Sequence, residues 1–241
     1  MGRRSRSTGS TGSPELEAAI PACAGAPEAG FSIIEVLVGA VLGLMVVIAV
    51  YTFTESSNRS YVRESDLSAA QNSGRVAMEL FSSEARQAGY SPQGKAFAAI
   101  PEGNATRVRL IADLNGNGAP GTGDADENVV YNFLPSGDGT TSTLQRGIDL
   151  DGDWSFAGAG ESVATVVTDV VPVDADGDGT PDPFLAYDVS PANLPLAYLS
   201  GQPVTRKVTI TFGIRCDHRN TLKKTTEVVT FQSNVTLRNR S

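Results

Sequence analysis

From Phe31 to Phe53 the chain runs 23 residues with one formal charge, Glu35. At about 1.5 Å per residue such a stretch makes a helix of roughly 35 Å, enough to cross a hydrocarbon core of about 30 Å. A carboxylate inside an apolar span is costly, so an acid there reads as functional and calls for a partner. One reading is a plain membrane anchor with Glu35 held near the interface. The other starts from Gly30, which directly precedes Phe31. A cut between them would create a free amine about one helical turn from Glu35. A helix amino terminus also carries positive dipole charge and unsatisfied N–H groups that a carboxylate can answer. In an array of such helices Glu35 could pair with a neighbour's amine, which would offset the cost of burying it and set axial register.

The first 30 residues are expected to be a leader and not folded protein. They hold Arg3, Arg4 and Arg6, a Ser/Thr/Gly stretch and an Ala/Pro/Glu-rich stretch, with no apolar run before Gly30. That pattern is unlike a secretory signal cut after its hydrophobic core. Basic residues ahead of the apolar run favour a cytoplasmic amino end, with the rest exported. The net charge is −8, and the leader contains three basic and three acidic residues, so the imbalance belongs to the remainder. An acidic body of this kind argues against nucleic acid as a partner. Of the two cysteines, Cys23 lies in the leader and Cys216 near the far end. Loss of the leader would leave Cys216 as a buried small hydrophobe or a thiol for intermolecular pairing.

Past Phe53 the helical pattern continues without proline. Val62, Ala69, Ala70, Val76, Ala77, Leu80, Phe81, Ala85 and Ala88 recur at spacings of three, four and seven, which predicts one apolar helix face. Gly89 and then Pro92 supply the stop, so one helix is expected over Phe31–Ala88. Beyond it, strands are predicted over 107–112, 128–134, 143–146, one or two within 161–173, then 204–215 and 225–237. The last two are expected to pair as a hairpin about a polar turn at Asp217–Asn220. The expected fold is α+β: a long N-terminal helix, membrane-spanning and then amphipathic, packed on an antiparallel sheet. The division is a leader over 1–30, an apolar helix over 31–53, an amphipathic helix over 54–90 and a β-rich head over 91–241.

The segment Gly30-Phe31-Ser32-Ile33-Ile34-Glu35, followed by an apolar helix, resembles the class III signal of type IV prepilins and type II secretion pseudopilins. The resemblance implies that a prepilin peptidase cuts after Gly30 and N-methylates Phe31. It also implies that Glu35 is the assembly glutamate and that subunits associate through their N-terminal helices from the inner membrane. Family leaders usually place a basic residue before the glycine, where this chain has Glu28-Ala29. Asp113–Gly118, Glu127–Phe133, Leu144-Gln145-Arg146 and the closing Val235–Asn239 are similar to PilW-type minor pilins. The implied function is a minor pilin. A pseudopilin, or a singly anchored exported calcium-binding domain outside any polymer, is the alternative.

Asp174, Asp176 and Asp178, with Gly179 and Asp182, form a DxDxDGxxD loop. Alternate carboxylates of this kind suit one hard cation such as Ca2+, and the glycine permits the turn. Asp113, Asn115 and Asn117, with Gly118 and Asp124, match the same pattern less closely. Asp149, Asp151 and Asp153 are a third, weaker version in which Trp154 takes the glycine place. The same residue types also gather in turns for backbone reasons alone. His218 is the one histidine and stands beside Asp217 and Cys216. Adjacent turn residues give poor geometry for a nucleophile pair, so no enzymatic activity is expected.

Overall fold

The computed structural model describes residues 30–95, 97–118, 126–150, 156, 158, 160–189, 191, 205–219 and 224–237. Residues 1–29 of the leader, Cys23 among them, and Asp124, Asp151 and Asp153 lie outside them. Two compact units divide the chain, one ending at Phe53 and the other covering Thr54–Ser241.

The helix α1 spans Ile33–Gln87, 55 residues against the 58 or so expected. Its start is written locally. The Ser32 carbonyl accepts the first helical bonds from Glu35 and Val36, at 2.9 and 3.1 Å. Ser32 and Glu35 thus stand at the spacing of a capping box, with the acid in the positively polarised first turn. At the other end Arg86 occupies the last turn, and Gly89 takes φ 80°, the left-handed conformation that ends a helix at little cost to glycine. The Gly89 N–H then donates to the Ile111 carbonyl, fastening the helix exit to the sheet.

In the first unit every residue from Phe31 to Phe53 is exposed. Its most apolar 18-residue window has a mean hydropathy of 2.8 and is 0% buried, so α1 is long and apolar enough to cross a membrane.

In the second unit one antiparallel sheet carries β1 (Arg107–Ile111), β2 (Asn128–Pro135), β3 (Ser142–Ile148), β4 (Ser162–Val171), β5 (Leu185–Tyr187), β6 (Lys207–Arg219) and β7 (Lys224–Thr236). The order is β1-β2-β3-β4-β6-β5, with β7 on the other edge of β6. β6 and β7 pair in register from Lys207↔Thr236 to Arg219↔Lys224, the hairpin expected from their alternating Val/Thr/Ile pattern. The polar turn is displaced, however: Asp217, His218 and Arg219 are paired strand residues. Antiparallel bonding carries the ladder on through polar residues once its register is set.

β4 and β5 share the remaining edge of β6. β5 pairs with Val208–Ile210, and β4 touches β6 only at Val170↔Ile214 and Val171↔Gly213. Asp169, at φ 57°, marks where β4 turns from β3 toward β6, next to register shifts in β3 around Leu144. A left-handed non-glycine at such a bulge redirects the strand at some conformational cost.

The amphipathic part of α1 lies on this sheet and shares its core. Its buried residues are Ala70, Gly74, Ala77, Phe81, Ser82 and Ala85. Small residues at these places let the helix approach closely. A Cβ on Gly74 would stand 2.1 Å from Cζ of Phe231, so any side chain there must push that ring aside. The expected apolar face is corrected here: Val62 and Val76 are 49% and 61% exposed, and Ala69 is exposed too. Phe81 meets Tyr131 edge to face at 5.1 Å, while Phe133 stacks on Phe184 at 4.3 Å. A polar tie crosses the same contact. Glu84 accepts a bond from the Tyr131 hydroxyl at 2.5 Å and pairs with Arg146 at 2.8 Å.

Candidate functional site

The residues singled out in the sequence fall into two places, the start of α1 and the loops of the head. Gly30, Phe31 and Glu35 are all exposed, Phe31 at 79%. A Cβ added at Gly30, Gly39 or Gly43 would meet nothing within 4 Å. Among the described residues the apolar surface around Glu35 is exposed.

Two loops share one backbone design. In the first, Asp113 accepts the Gly118 N–H at 3.2 Å and Asn115 accepts that of Asn117 at 2.8 Å. In the second, Asp174 accepts the Gly179 N–H at 2.8 Å and Asp176 accepts that of Asp178 at 3.1 Å. Gly116 and Gly118, like Gly177 and Gly179, all have φ between 71° and 90°. A downstream acid closes each loop on the residue after its first Asp. Glu127 accepts from Leu114 at 2.7 Å, and Asp182 accepts from Ala175 at 2.9 Å. At the third acidic run Glu161 does the same for Leu150, at 3.0 Å.

Burial separates them. The Asp174 loop is exposed, and Asp174, Asp176 and Asp178 bring carboxylate oxygens within 4.8 Å of one another. The Gly179 N–H foremost, with those of Gly177 and Asp178, holds the Asp174 carboxyl below the usual carboxylate range. Asp182 stands apart from that trio, its carboxylate being used on the Ala175 N–H. Asp113, by contrast, is 0% exposed and Glu127 is 2% exposed. Asp149 is 0% exposed and Arg109 is 6% exposed. These four are the buried charged side chains among the described residues, and all lie at one end of the sheet. Asp113 and Glu127 flank the β1–β2 connection, and Asp149 starts the β3–β4 connection. Asn128 joins the two, accepting from Arg109 Nε at 2.8 Å and donating to the Asp149 carbonyl.

Glu127, Glu161, Arg109 and Asn128 were missed by sequence reasoning as parts of this arrangement. The usable signal was an acid at each end of an Asp-rich loop, directly before a strand. Asn115 and Asn117 are brought to the Asp113 loop as expected, whereas Asp124 lies outside the described residues.

The segment after α1 clamps the Asp113 loop from outside. Asp113 N–H donates to the Tyr90 carbonyl at 2.8 Å, Ser91 donates to Asp113 Oδ2 at 3.3 Å, and Lys95 Nζ donates to the Gly118 carbonyl at 3.1 Å.

Cys216 is a buried free thiol, with Sγ 4.0 Å from the Asp66 carbonyl on α1. Burial foremost, then the carboxylates of Asp66 and Glu227, pushes its pKa up and keeps it protonated. It borders a cleft of about 580 Å³ between α1, β4 and β6, also lined by Asp66, Thr165, Asp169 and Arg215.

Comparison with family models, with curated proteins and with solved structures finds no match to this chain.

Proposed function

We propose that this chain is a minor type IV pilin, cut between Gly30 and Phe31 and built into or beneath a pilus through the apolar half of α1. One observation carries the reading. An 18-residue apolar window is wholly exposed on α1, and Glu35 is the single charge between Phe31 and Phe53. A surface of that kind needs lipid first and then other helices of its own type. In an array of subunits the new amine of Phe31 is the group that answers Glu35. The β-rich head on the amphipathic half of α1 supports a subunit with its head outside the cytoplasm. The partners in this reading are other pilin subunits, a prepilin peptidase and the inner membrane.

Mass spectrometry of the mature amino terminus tests the processing step. N-methylated Phe31 is expected, and an intact leader would leave a singly anchored domain instead. That second reading is an exported head that takes up Ca2+ without entering a polymer. Glu35→Ala separates the two. Co-assembly with other subunits is lost in the polymer reading and unchanged in the anchor reading. A type II secretion pseudopilin would respond to both tests as a pilin does. Deletion strains scored for piliation and for secretion distinguish those two.

A further inference from the structure

The end of the sheet where β1 leaves and β2 enters gathers the buried acids of the described residues. Asp113, Glu127 and Asp149 are buried there with Arg109. Burying charge is costly unless a counter-charge lies in reach. Asp113 makes that cost specific. Its Oδ2 accepts from Ser91 and from Gly118 across the loop, so the carboxylate faces the loop's concave side. Its Oδ1 is buried and has no hydrogen-bond partner. An acceptor left so is expensive, and a bound cation or an ordered water is what answers it.

The surroundings favour a cation. Asn115 and Asn117 add amide oxygens to the same loop, and Glu127 adds a second carboxylate held in place by the N–H groups of Leu114 and Asn115. Carboxylate, amide and backbone oxygens on a turn opened by left-handed glycines are the donor set of Ca2+, which takes six to eight oxygens in flexible geometry. Lys95 Nζ donates to the Gly118 carbonyl at 3.1 Å, on the same loop.

We propose that Asp113 and Glu127, with the Asn115 and Asn117 side chains, bind one Ca2+ in the β1–β2 loop of the head. Asp113 Oδ1 is the anchoring ligand, and the ion joins the segment after α1 to the sheet. The exposed Asp174 loop, with the same backbone design, is not the site proposed. This inference is independent of the pilin reading, since it concerns the head alone and survives whether or not Phe31 is ever exposed.

The test is calcium titration of the full chain in detergent micelles, read by thermal unfolding of the head and by Tb3+ luminescence excited through tyrosine. At free Ca2+ roughly a hundredfold above Kd the unfolding midpoint should rise by about 5–10 °C. The triple variant Asp174→Asn, Asp176→Asn, Asp178→Asn should keep the whole response. Asp113→Asn, close in shape, should lose it, as should Glu127→Gln if the first variant folds poorly. Ca2+ should also displace bound Tb3+ from the unaltered chain, a readout that needs no variant. The absence of any Ca2+ or Tb3+ response in the unaltered chain would overturn the proposal. So would a response abolished by the triple variant and retained in Asp113→Asn.

Discussion

Gly43 and Gly74 lie on the same helix, and a side chain added at each meets opposite conditions. At Gly43 there is nothing within 4 Å; at Gly74 the Phe231 ring is 2.1 Å away. The contrast extends along α1. From Ile33 to Phe53 large apolar side chains are exposed, Leu37 at 59% and Ile48 at 53% among them. From Ala70 onward the small residues are buried, and Phe81 is 0% exposed. Hydrophobicity alone would have assigned these roles the other way round. The more apolar half is the one left exposed among the described residues. The less apolar half is covered because small residues let a sheet come close.

The contrast can be broken by substitution. Phe81→Ala should cost the head about 3–5 kcal/mol in denaturant unfolding, the largest effect expected here. Leu42→Ala should leave the same transition unmoved. Gly74→Val should cost about 1–3 kcal/mol through overpacking against Phe231, and Gly43→Val should cost the head nothing. Glu84→Ala should remove about 1–3 kcal/mol, because Tyr131 is buried and would lose its acceptor. A double-mutant cycle with Arg146 apportions that loss between the hydroxyl and the guanidinium. Cys216 reports on the covered half without a change in sequence. With its thiol pKa raised, alkylation in the folded chain should be slower than that of an unfolded control near pH 8, and should accelerate only at higher pH. The smallest effect on unfolding belongs to Glu35→Ala, expected to be near zero even though it abolishes co-assembly in the proposed function. A large loss of head stability from that change would show that the two halves of α1 are not separable.

Much of this was legible in the chain. The apolar run, the absence of proline up to Gly89 and the Val/Thr-rich strands give the long helix and the sheet. What failed did so for physical reasons. Val62, Ala69 and Val76 lie seven apart and suggest one face, but the sheet rests on the stripe through Ala70, Gly74, Ala77, Phe81 and Ala85. Gly74 adds nothing to a hydrophobic count, and its burial depends on a phenylalanine 157 positions away in sequence. β5, at three residues, is too short to carry a period and exists because β6 offers an unpaired edge beside β4. The two DxNxNG- and DxDxDG-like loops were recognisable as a pair, yet their order of interest reversed. The richer carboxylate cluster is exposed, and the poorer one contains the buried Asp113.

The sequence by itself determined the helix, its caps, the alternating residues of the main strands and the backbone turns of the acidic loops. Each of these rests on interactions a few residues apart. The tertiary structure alone decided which helix face is covered, which half of the helix stays exposed, and that Asp113, Glu127, Asp149 and Arg109 share one end of the sheet. Burial and charge balance depend on groups brought together from distant positions. Their energies take their size from the loss of water, and only the folded chain removes it.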